Sequence, residues 1–257
     1  MTLRYAYGIA RAGDRGMIDS AAIEGIEGGR VRAIVEGPLL AAVSDVEERE
    51  YDTEPLNAHV RDLDWLAPRA SAHQTVNGRL LDLVGSVLPL SFGAIYRDDE
   101  RLKAMLKEDA SGRAARLDEL RGRAEWVITL TRDADAPLDE DDVRALEAEI
   151  SASAPGRAFL LEKRRSSVVA RSLERRDAEA AESVLESVKS VAEKTYREPT
   201  VQAGSDVVVL RASLLVSRER DASLTETILR AERALGERGY RLRASGPWPA
   251  YRFGGMP

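Results

Sequence analysis

Two histidines, His59 and His73, are the side chains of this sequence best suited to proton transfer near neutral pH. His73 stands beside Gln74 at the start of an apolar helical stripe, and no local spacing completes a Ser–His–Asp or Glu–His arrangement. We therefore interpret His73 as a structural or capping residue. An enzyme with His73 or Glu125 as general base is the alternative, and it would require a concave site with perturbed titrating groups.

Metal and phosphate chemistry finds little support in the sequence. The absence of cysteine excludes thiolate catalysis, disulfides and Cys-type zinc sites, and two histidines exclude a multi-His site within one chain. Glycines around Gly25–Gly29 fit neither a dinucleotide-binding nor a Walker motif. We predict no cofactor and no metal.

An acidic loop resembles a cation site and contains Asp133, Asp135, Asp139 and Asp141. A calcium-binding EF-hand loop requires glycine at its sixth position and glutamate at its twelfth. Counted from Asp133, those positions hold Leu138 and Arg144. We therefore interpret the aspartates as acidic residues at a helix N-terminus, where the helix dipole favours them.

Charge limits the partners that the chain can have. The net charge of −6 argues against nucleic acid as a partner, because nucleic-acid binding depends on neutralising phosphates. A basic run contains Lys163, Arg164, Arg165, Arg171, Arg175 and Arg176. With Glu162 and Glu174 interleaved, it favours a solvated helix face, and a surface for an acidic partner is the alternative. No apolar run approaches the ~20 residues of a membrane span, so the cytoplasm is the expected compartment.

The elements that must position these residues alternate between strands and helices. In the first half, Leu3–Ala10 predicts a strand, and Val31–Glu36 with Leu39–Val43 predicts a hairpin. Arg69–Val87 predicts an amphipathic helix that Pro89 ends. Asp98 predicts the N-cap of a further helix.

The second half predicts a strand at Glu125–Thr131 and a long helix from Arg157 to about Arg197, ended by Pro199. A β-branched strand follows at Asp206–Val216. The capping-box pattern Ser223–Glu226 predicts the start of another helix. The order of strand, helices, strand, helix and strand suggests a ferredoxin-like α+β sandwich.

The last strand, Tyr240–Ser245, alternates apolar and polar residues, and Gly246-Pro247 is expected to end it. Trp248, Tyr251 and Phe253 follow, although aromatic residues make up only 5% of the chain. Burying each ring would contribute roughly 1.5–3 kcal/mol. We therefore predict that this tail is a strap docked on the protein body, and an exposed anchor for a partner is the alternative.

A chain of 257 residues suits two compact domains. Composition places the boundary near Arg121-Gly122, just before the predicted strand at Glu125. We predict an N-terminal α+β domain at residues 1–121, a C-terminal ferredoxin-like α+β domain at 122–245 and a C-terminal strap at 246–257.

Several stretches, in this order along the chain, resemble motifs of the gas vesicle GvpF/GvpL family. They are Tyr5–Ile9, Asp62–Leu66 with His73-Gln74 following, Val87–Ile95 around Pro-Leu-Ser-Phe-Gly, Gly122–Trp126, and Gly239–Phe253 around Gly-Pro-Trp-Pro. Ala250 departs from the family by standing where a further proline is common, and Arg252 stands where small polar residues are usual. Neither departure affects the prediction of a docked strap.

The resemblance implies an N-terminal α+β domain, a ferredoxin-like C-terminal domain and a role in forming gas vesicles, without catalysis or a cofactor. It also implies binding to the hydrophobic shell protein GvpA and to other accessory proteins, at the gas vesicle or in the cytoplasm. A shell subunit with much apolar surface would aggregate before assembly unless a charged protein covered it. The candidate partner-contact or interdomain residues are Pro89, Phe92, Tyr96, Trp248, Tyr251 and Phe253.

A small-molecule-binding regulatory module on a ferredoxin-like sandwich is the alternative function. It predicts a pocket with convergent polar groups and a thermal shift with a metabolite.

Overall fold

The structure, a computed structural model, describes residues 2–134, 141–200 and 206–254. It shows an α+β protein with two antiparallel sheets. Two compact units divide the chain: the first comprises Met1–Trp126, Ser217–Glu219 and Gly246–Pro257, and the second Val127–Val216 and Arg220–Ser245. The domain boundaries at residues 121 and 245 stay predictions, because compactness does not demonstrate independent folding.

The first unit is built on a five-stranded sheet with the order β2-β3-β1-β4, in which β5 also pairs with β1. Its elements are β1 (Thr2–Arg11), α1 (Arg15–Ser20), β2 (Arg32–Glu36), β3 (Leu39–Glu47), α2 (Glu48–Tyr51), α3 (Thr53–His59), α4 (Leu63–Val84), β4 (Leu88–Pro89), β5 (Ile95–Tyr96), α5 (Asp99–Lys107) and α6 (Ala110–Leu120). Strand β1 is antiparallel to β3, β4 and β5. The predicted opening strand and the hairpin of β2 and β3 are confirmed.

The core of the first unit contains side chains of β1 and α4. Tyr5 and Tyr7 of β1 are buried. Val76, Leu80 and Val84 of α4 recur every fourth residue and therefore face the same side of the helix. This apolar stripe, visible in the sequence, is buried in the same cluster as the two tyrosines.

The predicted limits of α4 are wrong at both ends. The helix begins before Arg69, because the Asp62 carboxylate caps it and Pro68 is accommodated inside it. It ends before Pro89, because Gly85 adopts a left-handed conformation with φ of 73°. Glycine has no Cβ to oppose that conformation, so it ends the helix earlier than the proline could.

Of the two predicted N-caps, one is confirmed. The Asp98 carboxylate accepts a hydrogen bond from the backbone N–H of Arg101 at the start of α5. The capping box at Ser223–Glu226 is wrong, because the following helix already begins at Asp221 after Arg220, which makes no side-chain cap. Ser223 therefore lies inside the helix.

The second unit carries most of a four-stranded sheet with the order β7-β8-β6-β9. Its elements are β6 (Arg123–Arg132), α7 (Asp141–Ala152), α8 (Pro155–Val188), β7 (Lys194–Arg197), β8 (Val207–Ser217), α9 (Asp221–Gly236) and β9 (Tyr240–Trp248). The start of β6, the last residue of β8 and the end of β9 belong to the first unit. The long helix is confirmed, but its predicted end at Arg197 is wrong. Residues Lys194–Arg197 instead form an edge strand antiparallel to β8, which supplies partners for their backbone groups.

The predicted end of the last strand is also wrong. Strand β9 continues through Gly246 and Pro247 to Trp248. β9 is an edge strand of its sheet, where a residue without an N–H group is tolerated. Gly246 has a φ of 146°, a conformation that favours glycine, and its peptide bond to Pro247 is cis.

Candidate partner-binding site

All six predicted contact residues lie in the first unit, and two of them contribute to its packing. Pro89 is buried in β4 opposite Gly8. Phe92 is half-buried, and its ring meets those of Tyr5 and His73 edge-on at centroid distances of 6.0 and 5.9 Å.

The other four predicted residues are more accessible to solvent. Tyr96 is half-buried in β5 opposite Arg4, and Trp248 is half-buried at the end of β9. In the tail, Phe253 is half-buried and Tyr251 is 40% exposed. These rings are therefore partly covered by the chain and partly open to a partner.

The described part of the C-terminal strap, residues 246–254, is tied to the first unit by polar contacts. The Asn77 amide lies 3.2 Å from the Tyr251 hydroxyl. The backbone N–H of Arg252 donates to Oε2 of Glu125 over 2.7 Å, and Ala250 is buried. The structure therefore places the strap against α4 and the start of β6.

A buried polar network lies beneath the strap. The Tyr5 hydroxyl accepts a hydrogen bond from the N–H of Gly93 at 3.1 Å and lies 3.0 Å from Nδ1 of His73. His73 Nε2 is 3.0 Å from the side-chain amide of Asn77. Burial raises the pKa of Tyr5 far above its ordinary value and that of Tyr251 to about 12, so both phenols remain protonated.

The hydrogen-bond roles at His73 depend on its tautomer. If the Tyr5 hydroxyl donates to Nδ1, the histidine proton is on Nε2. Asn77 Oδ1 has no partner among the described residues, whereas Nδ2 faces both His73 Nε2 and the Tyr251 hydroxyl. Rotating the amide by half a turn lets Oδ1 accept from both groups. Both ring nitrogens of His73 therefore have neighbours that can hydrogen-bond to a neutral imidazole.

We expect the stability of the protein to fall with acid because of His73. Burial lowers the pKa of this histidine from 6.5 to about 4. As the pH falls, this histidine is therefore protonated in the unfolded chain before it is protonated in the folded protein. Its contribution to the free energy of unfolding is complete above about pH 6.5 and is lost as the pH falls toward 4, by about 3 kcal/mol in total.

Denaturant unfolding of the wild type and His73→Gln across this pH range measures the effect. The variant should be less stable at neutral pH and should lose less stability on acidification. An equal loss in both proteins would contradict the assignment.

A cleft of about 540 Å³ opens in the first unit beside Tyr96. It is lined by Leu3, Tyr51, Asp52, Thr53, Leu56, Asn57, Gly93, Ile95, Tyr96, Arg97 and Arg101. Its apolar lining comes from three separate stretches of the chain, in β1, in α2 and α3, and in β5, and no local pattern predicted the cleft. Arg97 and Arg101 are exposed, and neither guanidinium has an ion-pair or hydrogen-bond partner within the described chain.

The chemistry of this cleft suits binding. Aliphatic and aromatic side chains can cover an apolar segment, and two unpaired guanidiniums can hold carboxylates on it. His73 and Glu125 are only 3% and 5% exposed, so the two candidate bases do not reach open solvent. Across residues 2–134, 141–200 and 206–254, no three metal-ligating side chains converge.

The predicted acidic loop is described only in part, because Asp135 and Asp139 lie outside the described residues. Asp133 follows β6, and its backbone N–H donates to the Gly239 carbonyl. Asp141 begins α7 and forms an ion pair with Arg144. In the described parts of the chain, no helix has the length and apolar character that a membrane span requires.

Comparison with known proteins finds the same family along almost the whole chain. A family described as gas vesicle synthesis protein GvpL/GvpF matches residues 3–254. Gas vesicle protein L of Streptomyces sp. (strain CB03234) is 31% identical over 263 residues, covering 99% of this chain and 93% of that protein. Gas vesicle protein F of the same strain is 30% identical over 254 residues, covering 97% of this chain and 98% of that protein. The fold is similar to the crystal structure of GvpF from Anabaena sp. PCC7120, with a TM-score of 0.77, 15% identity and full coverage of both chains.

Proposed function

The chain belongs to the GvpL/GvpF family of gas vesicle synthesis proteins, and from this premise we propose that it is a non-catalytic assembly factor. It binds the hydrophobic shell protein GvpA, other accessory proteins, or both, in the cytoplasm or at the gas vesicle. The observation that carries the proposal is the family match over residues 3–254, which leaves no room for an unrelated functional domain among those residues.

The cleft beside Tyr96 supports this role. An apolar surface on a partner can be covered by Leu56, Ile95 and Tyr96, which are half-buried and line the cleft. Arg97 and Arg101 would select partners that carry carboxylates beside that surface. A charged protein with such a cleft can shield a partner from aggregation without a catalytic step.

We further infer that the second unit is a ferredoxin-like sandwich. Its elements follow the order β6, α7 and α8, β7, β8, α9, β9, with the strand order β7-β8-β6-β9. This is the split βαβ arrangement, in which the first strand lies between the third and the fourth. The domain division at residues 121 and 245 is part of the same proposal.

The experiment that tests the function is a pull-down of the tagged chain from cells that express a gas vesicle cluster, with floated and washed vesicles probed separately. Capture of GvpA or an accessory protein from the soluble fraction supports an assembly factor. Retention in washed vesicles supports a minor vesicle component. Absence of both contradicts the proposal, and a metabolite that then raises the melting temperature would favour the small-molecule module, for which the cleft is large enough.

We expect the double variant Arg97→Glu/Arg101→Glu to capture about tenfold less partner, because two attractive charges at the cleft become repulsive. Arg79→Glu/Arg121→Glu changes the net charge equally at two other exposed positions of the first unit and should retain capture. Quantitative pull-down with matched protein levels measures the difference. Equal capture by both double variants would exclude the cleft as the binding surface.

A further inference from the structure

The hairpin of α7 and α8 carries a groove in the second unit that the proposed function does not use. The groove has a volume of about 420 Å³ and is lined by Ala145, Leu146, Glu149, Val168, Arg171, Ser172 and Arg175. Its apolar lining therefore comes from both helices, and two arginines of α8 form one side of it.

Two basic residues of α8 already have acidic partners on α7. Arg157 pairs with Glu149 at 2.6 Å, and Arg165 pairs with Glu147 at 2.8 Å. These pairs hold α8 to α7 and account for part of the basic run of the sequence.

Three other cations of α8 have no acidic partner among the described residues. Lys163, Arg164 and Arg171 are exposed and form no ion pair with any described carboxylate. Leu160, Arg164, Arg171 and Arg175 fall on one stripe of the helix, because their spacings of four, seven and four residues each return to the same side. This stripe borders the groove at Arg171 and Arg175.

The N-terminal part of α8 also exposes large apolar side chains. Phe159 and Leu160 are 61% and 62% exposed, and the Lys163 ammonium lies 4.7 Å from the centre of the Phe159 ring. Exposed apolar side chains therefore lie beside cations that have no acidic partner in the described part of the chain, although the net charge of the chain is −6. A local basic and apolar surface on an acidic protein marks a surface for a partner of opposite charge.

We propose that the α7–α8 groove binds an acidic amphipathic helix of another protein. The apolar face of that helix would lie on Ala145, Leu146 and Val168 and against Leu160. Its carboxylates would pair with Arg164 and Arg171. A helix seated in a groove between two others is a common mode of recognition, and the complementary charges fix its orientation.

The shape of the surface favours a protein helix over a lipid membrane. A membrane-bound amphipathic helix presents an apolar face along its whole length. On α8 the exposed apolar pair Phe159 and Leu160 is followed by Lys163, Arg164 and Ser167, which are polar. The apolar part is thus short, as for the anchor of a protein interface.

Binding can be measured with a synthetic amphipathic peptide of about 18 residues that has leucines on one helical face and glutamates on the other. Because the chain has no cysteine, Ala145→Cys accepts a single environment-sensitive fluorophore in the groove. Ala234→Cys on α9, an exposed alanine outside the groove, is the matched label control. We expect saturable binding reported by the first label and no signal from the second.

Charge reversal provides the specific test. In the labelled protein, Arg164→Glu/Arg171→Glu should weaken binding about tenfold or more, and Arg241→Glu/Arg243→Glu, an equal charge change on β9, should not. A peptide with lysines in place of the glutamates should not bind. Thermal melts of each variant establish that it is folded.

Several results would overturn the proposal. They are equal binding of the lysine peptide, equal binding by both double variants, and no binding of the acidic peptide to the folded protein. Binding of phosphatidylserine vesicles that Arg164→Glu/Arg171→Glu abolishes, without peptide binding, would assign the surface to membranes instead. Concentration-dependent dimers lost in the same variant would assign it to a second copy of the chain. If Arg164→Glu/Arg171→Glu still captures GvpA, the proposed function stands even where the proposal of a helix-binding groove fails.

Discussion

Replacing Gly246 by alanine is expected to destabilise the protein by about 3 kcal/mol or more. The backbone at this residue has a φ of 146°, which an L-residue with a side chain rarely adopts. A Cβ would also lie 2.8 Å from Cδ2 of Trp126 and 2.9 Å from the carbonyl oxygen of Glu125. Neither neighbour is the flexible end of a side chain, so the substitution must displace β9 or the start of β6.

Chemical denaturation of the purified variant measures this loss, and another glycine supplies the control. Gly236, at the end of α9, has no atom within 4 Å of an added Cβ. Gly236→Ala should therefore be neutral, or should stabilise by up to about 1 kcal/mol through reduced freedom of the unfolded chain. Equal stability of the Gly246 and Gly236 variants would show that the strap does not enter the first unit as described.

Ending the chain after Ser245 is expected to lower the melting temperature by roughly 10 °C or more, corresponding to several kcal/mol. The truncation removes the buried Ala250 and the half-buried rings of Trp248 and Phe253. It also removes the N–H of Arg252 that donates to the buried carboxylate of Glu125, and losing a hydrogen bond to a buried charged group is costly.

Tyr251→Phe separates one side-chain hydrogen bond from the rest of this loss. The variant keeps the ring and removes only the hydrogen bond to Asn77, so it should cost about 1 kcal/mol. Thermal unfolding followed by circular dichroism measures both proteins. A truncated chain with the melting temperature of the wild type would favour the alternative in which the tail is an exposed anchor for a partner.

The two proposed binding surfaces have a common chemical character. Arg97 and Arg101 border an apolar cleft in the first unit. Arg171 borders an apolar groove in the second, and Arg164 lies on the same stripe of α8. In a chain of net charge −6, both surfaces place unpaired cations beside apolar side chains. The two pairs of charge-reversal variants test each surface separately.

Local sequence patterns determined most elements of the fold. The spacing of Val76, Leu80 and Val84 predicted the buried face of α4, and the alternation of Tyr240 and Leu242 predicted β9. Asp98 predicted a helix start, because a cap requires only the backbone of the next turn. Ordered motifs along the chain also indicated the family that the comparison confirms. These features depend on residues that are neighbours in sequence.

Contacts between distant residues decided the rest. Lys194–Arg197 forms β7 because β8 supplies its hydrogen-bond partners, and β9 passes through Pro247 because it lies at a sheet edge. His73 lies 3.0 Å from the hydroxyl of Tyr5 in β1, a contact that no spacing around the histidine could indicate. The cleft likewise joins side chains from elements far apart in sequence. Sequence periodicity fixes which face of an element is apolar, but only tertiary packing fixes what that face meets and which polar groups remain free to bind.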